Sequence, residues 1–183
     1  MRLKHFATAF AFLFLVFSLT TTAAYANGQP EALARAAVST NAAESAPAVA
    51  ALRVMGPSGL QTLLAVHAEE IKRHTSGAAS TKDDAAWQRL RAALDAVSQQ
   101  YDSATAGLYW YTDFAQAQAA SRQTGKPILS LRLLGNLNEE YSCANSRFFR
   151  TVLYSNREVS DYLRERFILH WKSVRPAPRV TVD

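Results

Sequence analysis

Cysteine is nearly absent: Cys143 stands alone in 183 residues, so no disulfide can close within the chain and no multi-cysteine zinc site can form. The four histidines, His5, His67, His74 and His170, are too scattered for a local metal motif, and no cofactor or metal is expected. Seven glycines and six prolines exclude a collagen-like or low-complexity chain. Charged residues make up 19% against 49% hydrophobic, which excludes broad disorder and leaves enough apolar surface for a core. No apolar run reaches the ~20 residues that a membrane-spanning helix needs, the longest being Phe6 to Leu19. Ser130 sits in no Gly-x-Ser-x-Gly elbow, so a serine hydrolase has no support.

What is present begins with targeting. Arg2, Lys4 and His5 precede the apolar run, and Ala24-Tyr25-Ala26 follows it, the pattern of a secretory signal peptide cleaved after Ala26. The expected location is periplasmic or secreted, with no stable membrane anchor after cleavage and no nucleic acid as partner. The net charge is +5, from 20 basic and 15 acidic residues. From Arg147 onward eight basic residues face four acidic ones at helical spacing, which reads as a solvated helix face or a patch for an anionic partner.

Residues 27–51 are rich in Ala, Ser, Thr and Glu with few large apolar side chains, and are expected to be a flexible leader with marginal helix. Residues 52–104 are expected to form an α-helical hairpin. Its first helix is capped by Ser58 and carries Leu60, Leu63, Leu64, His67 and Ile71 on one stripe; its second, from Asp83, carries Trp87, Leu90, Leu94, Val97 and Tyr101. The stretch Leu52-Arg53-Val54-Met55-Gly56-Pro57-Ser58-Gly59-Leu60 resembles the turn of a HEAT-type helical repeat, although no second copy follows at a fixed period.

After Gly107 the pattern changes to α/β. Leu108 to Tyr111 is a short aromatic strand, Thr112 caps a helix to Thr124, and Gly125 and Pro127 end it. Ile128 to Leu134 and Ile168 to Val174 read as two buried strands paired in parallel. Between them a polar loop, Gly135 to Ser142, leads to a helix from Cys143 burying Phe148, Phe149, Val152 and Leu153, and to a second one restarted by Ser155-Asn156. Trp110, Trp171 and His170 are expected in the core, and Glu139 and Glu140 in solvent.

Trp110, the helix Asp113 to Thr124, Gly125-Lys126-Pro127-Ile128-Leu129, the loop ending at Cys143 and Val159, Leu163, Phe167 and Ile168 together resemble the first two-thirds of thioredoxin-like domains of exported bacterial proteins. The resemblance covers residues 105–174 and implies a three-layer βαβ unit within a domain over 105–183 that is C-terminally incomplete. Where that family carries Cys-x-x-Cys, this sequence has Cys143-Ala144-Asn145-Ser146. The family's cis-proline has no clear counterpart, since Pro176 and Pro178 come soon after the second strand.

A thiol at a helix N-terminus meets free N–H groups that favour thiolate, as would Arg147 and Arg150, whereas Glu139 and Glu140 oppose it. Because the N–H groups are in direct contact, a pKa below the usual ~8.5 is expected. Cys143, assisted by Ser146, would then attack protein disulfides or low-molecular-weight thiol adducts without being able to resolve the product. The competing expectation is a non-catalytic scaffold in which Cys143 packs as a small hydrophobe and the fold binds a protein partner.

Overall fold

A computed structural model describes residues 29–77 and 84–175. The expected signal peptide, part of the linker before the second hairpin helix and the sequence from Pro176 onward lie outside the described residues. No described helix is long and apolar enough to cross a membrane.

The first half is helical: α1 (Gln29–Ala36), α2 (Ala42–Val54), α3 (Pro57–Val66), α4 (Ala68–Thr75) and α5 (Ala85–Ser98). The expected flexible leader is therefore corrected. Asn41 caps α2 by accepting the Ala43 N–H, and Ala34, Ala37, Ala48 and Leu52 are buried in one core with Leu60, Leu63, Trp87, Leu90 and Leu94. Alanine-lined helices approach closely, so they bury backbone as well as side chain, and a search for large apolar residues overlooks them. Two long-range hydrogen bonds fasten the segment: Arg89 Nε donates to Val38 O at 3.1 Å, and His67 Nε2 lies 3.1 Å from Ala34 O. The single helix expected from Ser58 to Ile71 is broken at His67. Its start is one turn signal earlier, with Gly56 at φ 70° as N-cap and Pro57 at N1, while the Ser58 hydroxyl bonds back to Met55 O.

The second half is α/β. β1 (Trp110–Tyr111), α6 (Phe114–Thr124), β2 (Ile128–Leu134), α7 (Ala144–Phe148), a π-turn (Phe149–Leu153), α8 (Arg157–Arg166) and β3 (Ile168–Arg175) follow in order. The sheet has the order β1-β3-β2, and both pairings are parallel. Asp113, not Thr112, caps α6, and Asn156 caps α8. Leu129, Leu131, Leu133, Leu169 and Trp171 pack with Phe149, Leu153, Tyr154 and Leu163 into a second core. The opposite face receives α6, through Ala117 and the edge of Phe114 against His170.

Two further corrections concern burial. β2 is not covered on both faces, because β3 takes the central place and Ser130, Arg132 and Leu134 on β2 are exposed. Phe148 and Val152, expected inside, are 51% and 50% exposed. Trp110, Trp171 and His170 are buried as expected.

Gly59 shows how tightly α2 and α3 meet. A Cβ placed there would overlap the Leu52 carbonyl oxygen and stand 2.8 Å from its carbon, an encounter with backbone that cannot swing aside. Alanine normally gains about 1 kcal/mol over glycine inside a helix. Here overpacking should dominate, and Gly59→Ala is expected to destabilise by about 3 kcal/mol or more, measured as a lower urea midpoint at unchanged m-value.

Candidate functional site

Cys143 occupies the N-cap of α7, where its own Sγ replaces the usual capping oxygen. The Ser146 N–H donates to Sγ at 3.4 Å, and the Ser146 hydroxyl lies 3.2 Å from it. Ser146 is fully buried and Cys143 half-buried, so the hydroxyl is fixed while the sulfur keeps a path to solvent. Burial pushes the thiol pKa up, but hydrogen bonds from the Ser146 side chain and amide and from the backbone of Leu134 and Asn145 outweigh it, leaving the pKa below its ordinary value. The two predicted site residues are thus in contact.

The loop before Cys143 is held from both ends. Leu137 is buried, its carbonyl accepts the Tyr101 N–H at 3.0 Å, and Asn138 Nδ2 donates to Gln99 Oε1 at 2.9 Å. Arg150, expected to act on the thiolate, acts on this loop instead. Only 3% exposed, it donates to Leu137 O at 3.2 Å, to Glu140 O at 3.1 Å and also to Glu139 O, and its guanidinium lies over the Tyr101 ring at 5.0 Å. Burial pulls its pKa down, and the negative groups Asp102 and Asp95 offset part of that. Glu140 is exposed as expected, whereas the Glu139 carboxylate accepts from Asn136 Nδ2 at 2.9 Å.

A second group lies on the incompletely covered face of the sheet. Ser130 Oγ and His170 Nδ1 are 2.8 Å apart across the β2/β3 pair, beside Arg132, Lys172 and Phe114, around a cavity of about 420 Å³. From the sequence, His170 is expected in the core rather than as a ligand. The polar residues at alternate positions of β2, Ser130 and Arg132, were the available signal that this face is open.

A third group joins α4 to α5. His74 Nε2 is 2.9 Å from Glu70 Oε1 and 3.3 Å from Asp84 Oδ2, with the imidazole stacked on Trp87 at 4.5 Å between centroids. One imidazole and two carboxylates are a possible divalent-cation set. A metal-bound imidazole, however, needs an acceptor for its other N–H, and His74 Nδ1 is buried without a partner, so the cluster is better read as a hydrogen-bonded clamp between α4 and the start of α5.

Comparison with protein-family models, with curated proteins and with solved structures finds no match to this chain. The chain is a mixed α/β protein, a helical unit joined to a three-stranded parallel sheet.

Arg150→Met should leave three loop carbonyls without their donor. A loss of about 2–4 kcal/mol is expected, read by urea unfolding, together with a changed Cys143 alkylation rate at fixed pH because the loop no longer fixes the sulfur.

Proposed function

We propose that this is an exported, thioredoxin-like, thiol-reactive protein in which Cys143 is the nucleophile and Ser146 its stabilising partner. The observation that carries the reading is the Cys143 sulfur accepting the Ser146 amide at the start of α7 while the Ser146 hydroxyl stands 3.2 Å away. Support also comes from the order strand, helix, strand, loop with cysteine, helix, parallel strand. The thiolate would attack one sulfur of a disulfide R–S–S–R, forming Cys143–S–S–R and expelling R–S⁻. With no other cysteine in the chain, regeneration requires an external thiolate that takes R as a new disulfide and releases Cys143. Substrates of this class are protein disulfides and low-molecular-weight disulfides, which an oxidising compartment supplies.

A second reading rests on Phe148 and Val152, in the helical segment that follows the cysteine, and Tyr162 on α8, each about half exposed. Such side chains suit a scaffold that binds a protein partner without chemistry.

Iodoacetamide labelling as a function of pH separates the two. The thiol-reactive reading expects a midpoint below that of an ordinary cysteine, moving upward in Ser146→Ala because one donor to the thiolate is lost. Ser146→Cys should release a glutathione adduct that the natural chain retains. A midpoint at or above the ordinary value, or a thiol silent until unfolding, leaves the scaffold as the better account.

A further inference from the structure

We propose that the open face of the β2/β3 pair binds a phosphoryl dianion, with Arg132 and Lys172 as its charge partners and Ser130 and His170 as hydrogen-bonding partners. The site shares no residue with Cys143 and does not depend on the thiol-reactive reading.

The register carries the argument. Ser130 pairs with His170 and Arg132 with Lys172, so the four side chains form two adjacent rows on one face. Like charges directly opposite across a strand pair destabilise a sheet. Among the described residues neither Arg132 nor Lys172 has a salt-bridge partner, although salt bridges form elsewhere on the chain. A bound anion would turn the repulsion into attraction, and two cations match a dianion better than a carboxylate.

The remaining groups add shape and direction. His170 is 4% exposed, its Nδ1 is engaged by Ser130 Oγ, and Nε2 has no hydrogen-bonding partner among the described residues. The neutral pair leaves one donor at the cavity wall, either Nε2–H or the Ser130 hydroxyl, and protonation of the ring frees both, so a dianion and the imidazolium favour each other. Phe114, 48% exposed, lies edge-on to His170 with centroids 5.2 Å apart and supplies an apolar flank for the organic part of an ester. The charged groups facing His170 are Arg132 from β2, Lys172 from β3 and Asp113 at the start of α6. Burial lowers the imidazole pKa first, Arg132 and Lys172 lower it further, and Asp113 opposes them. An anion between the two cations would cancel their effect and raise it.

The test uses inorganic phosphate, phenyl phosphate, acetate and chloride at one ionic strength on the full chain, read by thermal unfolding and by the NMR titration of His170. Expected are a saturable rise in Tm and an upward shift of the His170 midpoint with both phosphates, and neither with acetate or chloride. Tighter binding of phenyl phosphate would identify an ester as the natural ligand, and equal binding the free ion. Arg132→Gln and Lys172→Gln should each weaken phosphate binding by about tenfold or more, while matching or exceeding the natural chain's Tm without phosphate, since each removes a repulsion. Ser130→Ala, which leaves the charges in place, should weaken binding less and should remove the hydrogen bond that fixes His170 Nδ1. No saturable response, an equal response to acetate or chloride, or unchanged phosphate affinity in both charge variants would overturn the proposal.

Discussion

The segment from Leu108 to Tyr111 is shared by two cores, and the remainder of the structure is arranged around that constraint. Tyr109 and Tyr111 belong to the helical core, Leu108 and Trp110 to the core beneath the sheet. An extended backbone sends successive side chains to opposite sides, so four residues can serve two cores only if the helical unit and the sheet lie on either side of this strand. Register here cannot slip. A shift by one residue would exchange Trp110 for Tyr109 and carry two hydroxyls into a space that holds one indole.

Most of the polar groups trapped at this junction are paired, Gln100 Nε2 being left without a partner. Arg53 donates to Val97 O at 2.9 Å and to Trp110 O at 2.6 Å, and its guanidinium lies 4.1 Å from the Tyr109 ring centroid. Trp110 Nε1 donates to the buried Gln100 Oε1, and Trp171 Nε1 to Gln99 O, each at 2.9 Å. Gln99 and Asp102 adopt positive φ, of 59° and 58°, which turns the chain out of α5 and brings the amides of Asp102 and Ser103 onto the Asp95 carboxylate. Burial raises the Asp95 pKa, and these hydrogen bonds pull it back. Each such bond to a charged group is worth about 1.5–3 kcal/mol, comparable with burying one large apolar side chain. The joint is therefore held by polar contacts as much as by packing.

How much of this could be read beforehand differs by element. β2 and β3 are legible because both are short, mostly apolar runs, the first bounded by Pro127 and Gly135, and Asn156 and Gly125 announce the boundaries of their helices. The two helices of residues 29–54 are not, because their buried faces are largely alanine, with Leu52 as the one large buried side chain, and alanine burial carries too little apolar area to stand out from a solvated segment. The expectation of a doubly covered β2 failed for another reason. Apolar composition shows that a strand is buried on one side at least, but which strand is central depends on pairing order, and here β3 intervenes. For the candidate site, Cys143 and Ser146 were legible as a local spacing at a loop-to-helix junction. Arg150 was misjudged, since its partners are carbonyls 10 to 13 residues away, which no local pattern reveals.

Placing β3 at the centre also separates two kinds of chemistry on one strand. Leu129, Leu131 and Leu133 anchor β2 to the core, and that anchorage fixes Leu134, whose backbone bonds that of Cys143. Ser130 and Arg132, at the intervening positions, are held on the other face by the same pleat. The strand cannot move one set without the other. A side chain inserted under β2 would thus disturb both the loop that carries the sulfur and the row that sets Arg132 opposite Lys172, whereas a change at Ser130 or Arg132 leaves the packed face intact. Side chains on the open face can vary with little effect on the fold because the apolar positions and the backbone pairing with β3 secure the strand.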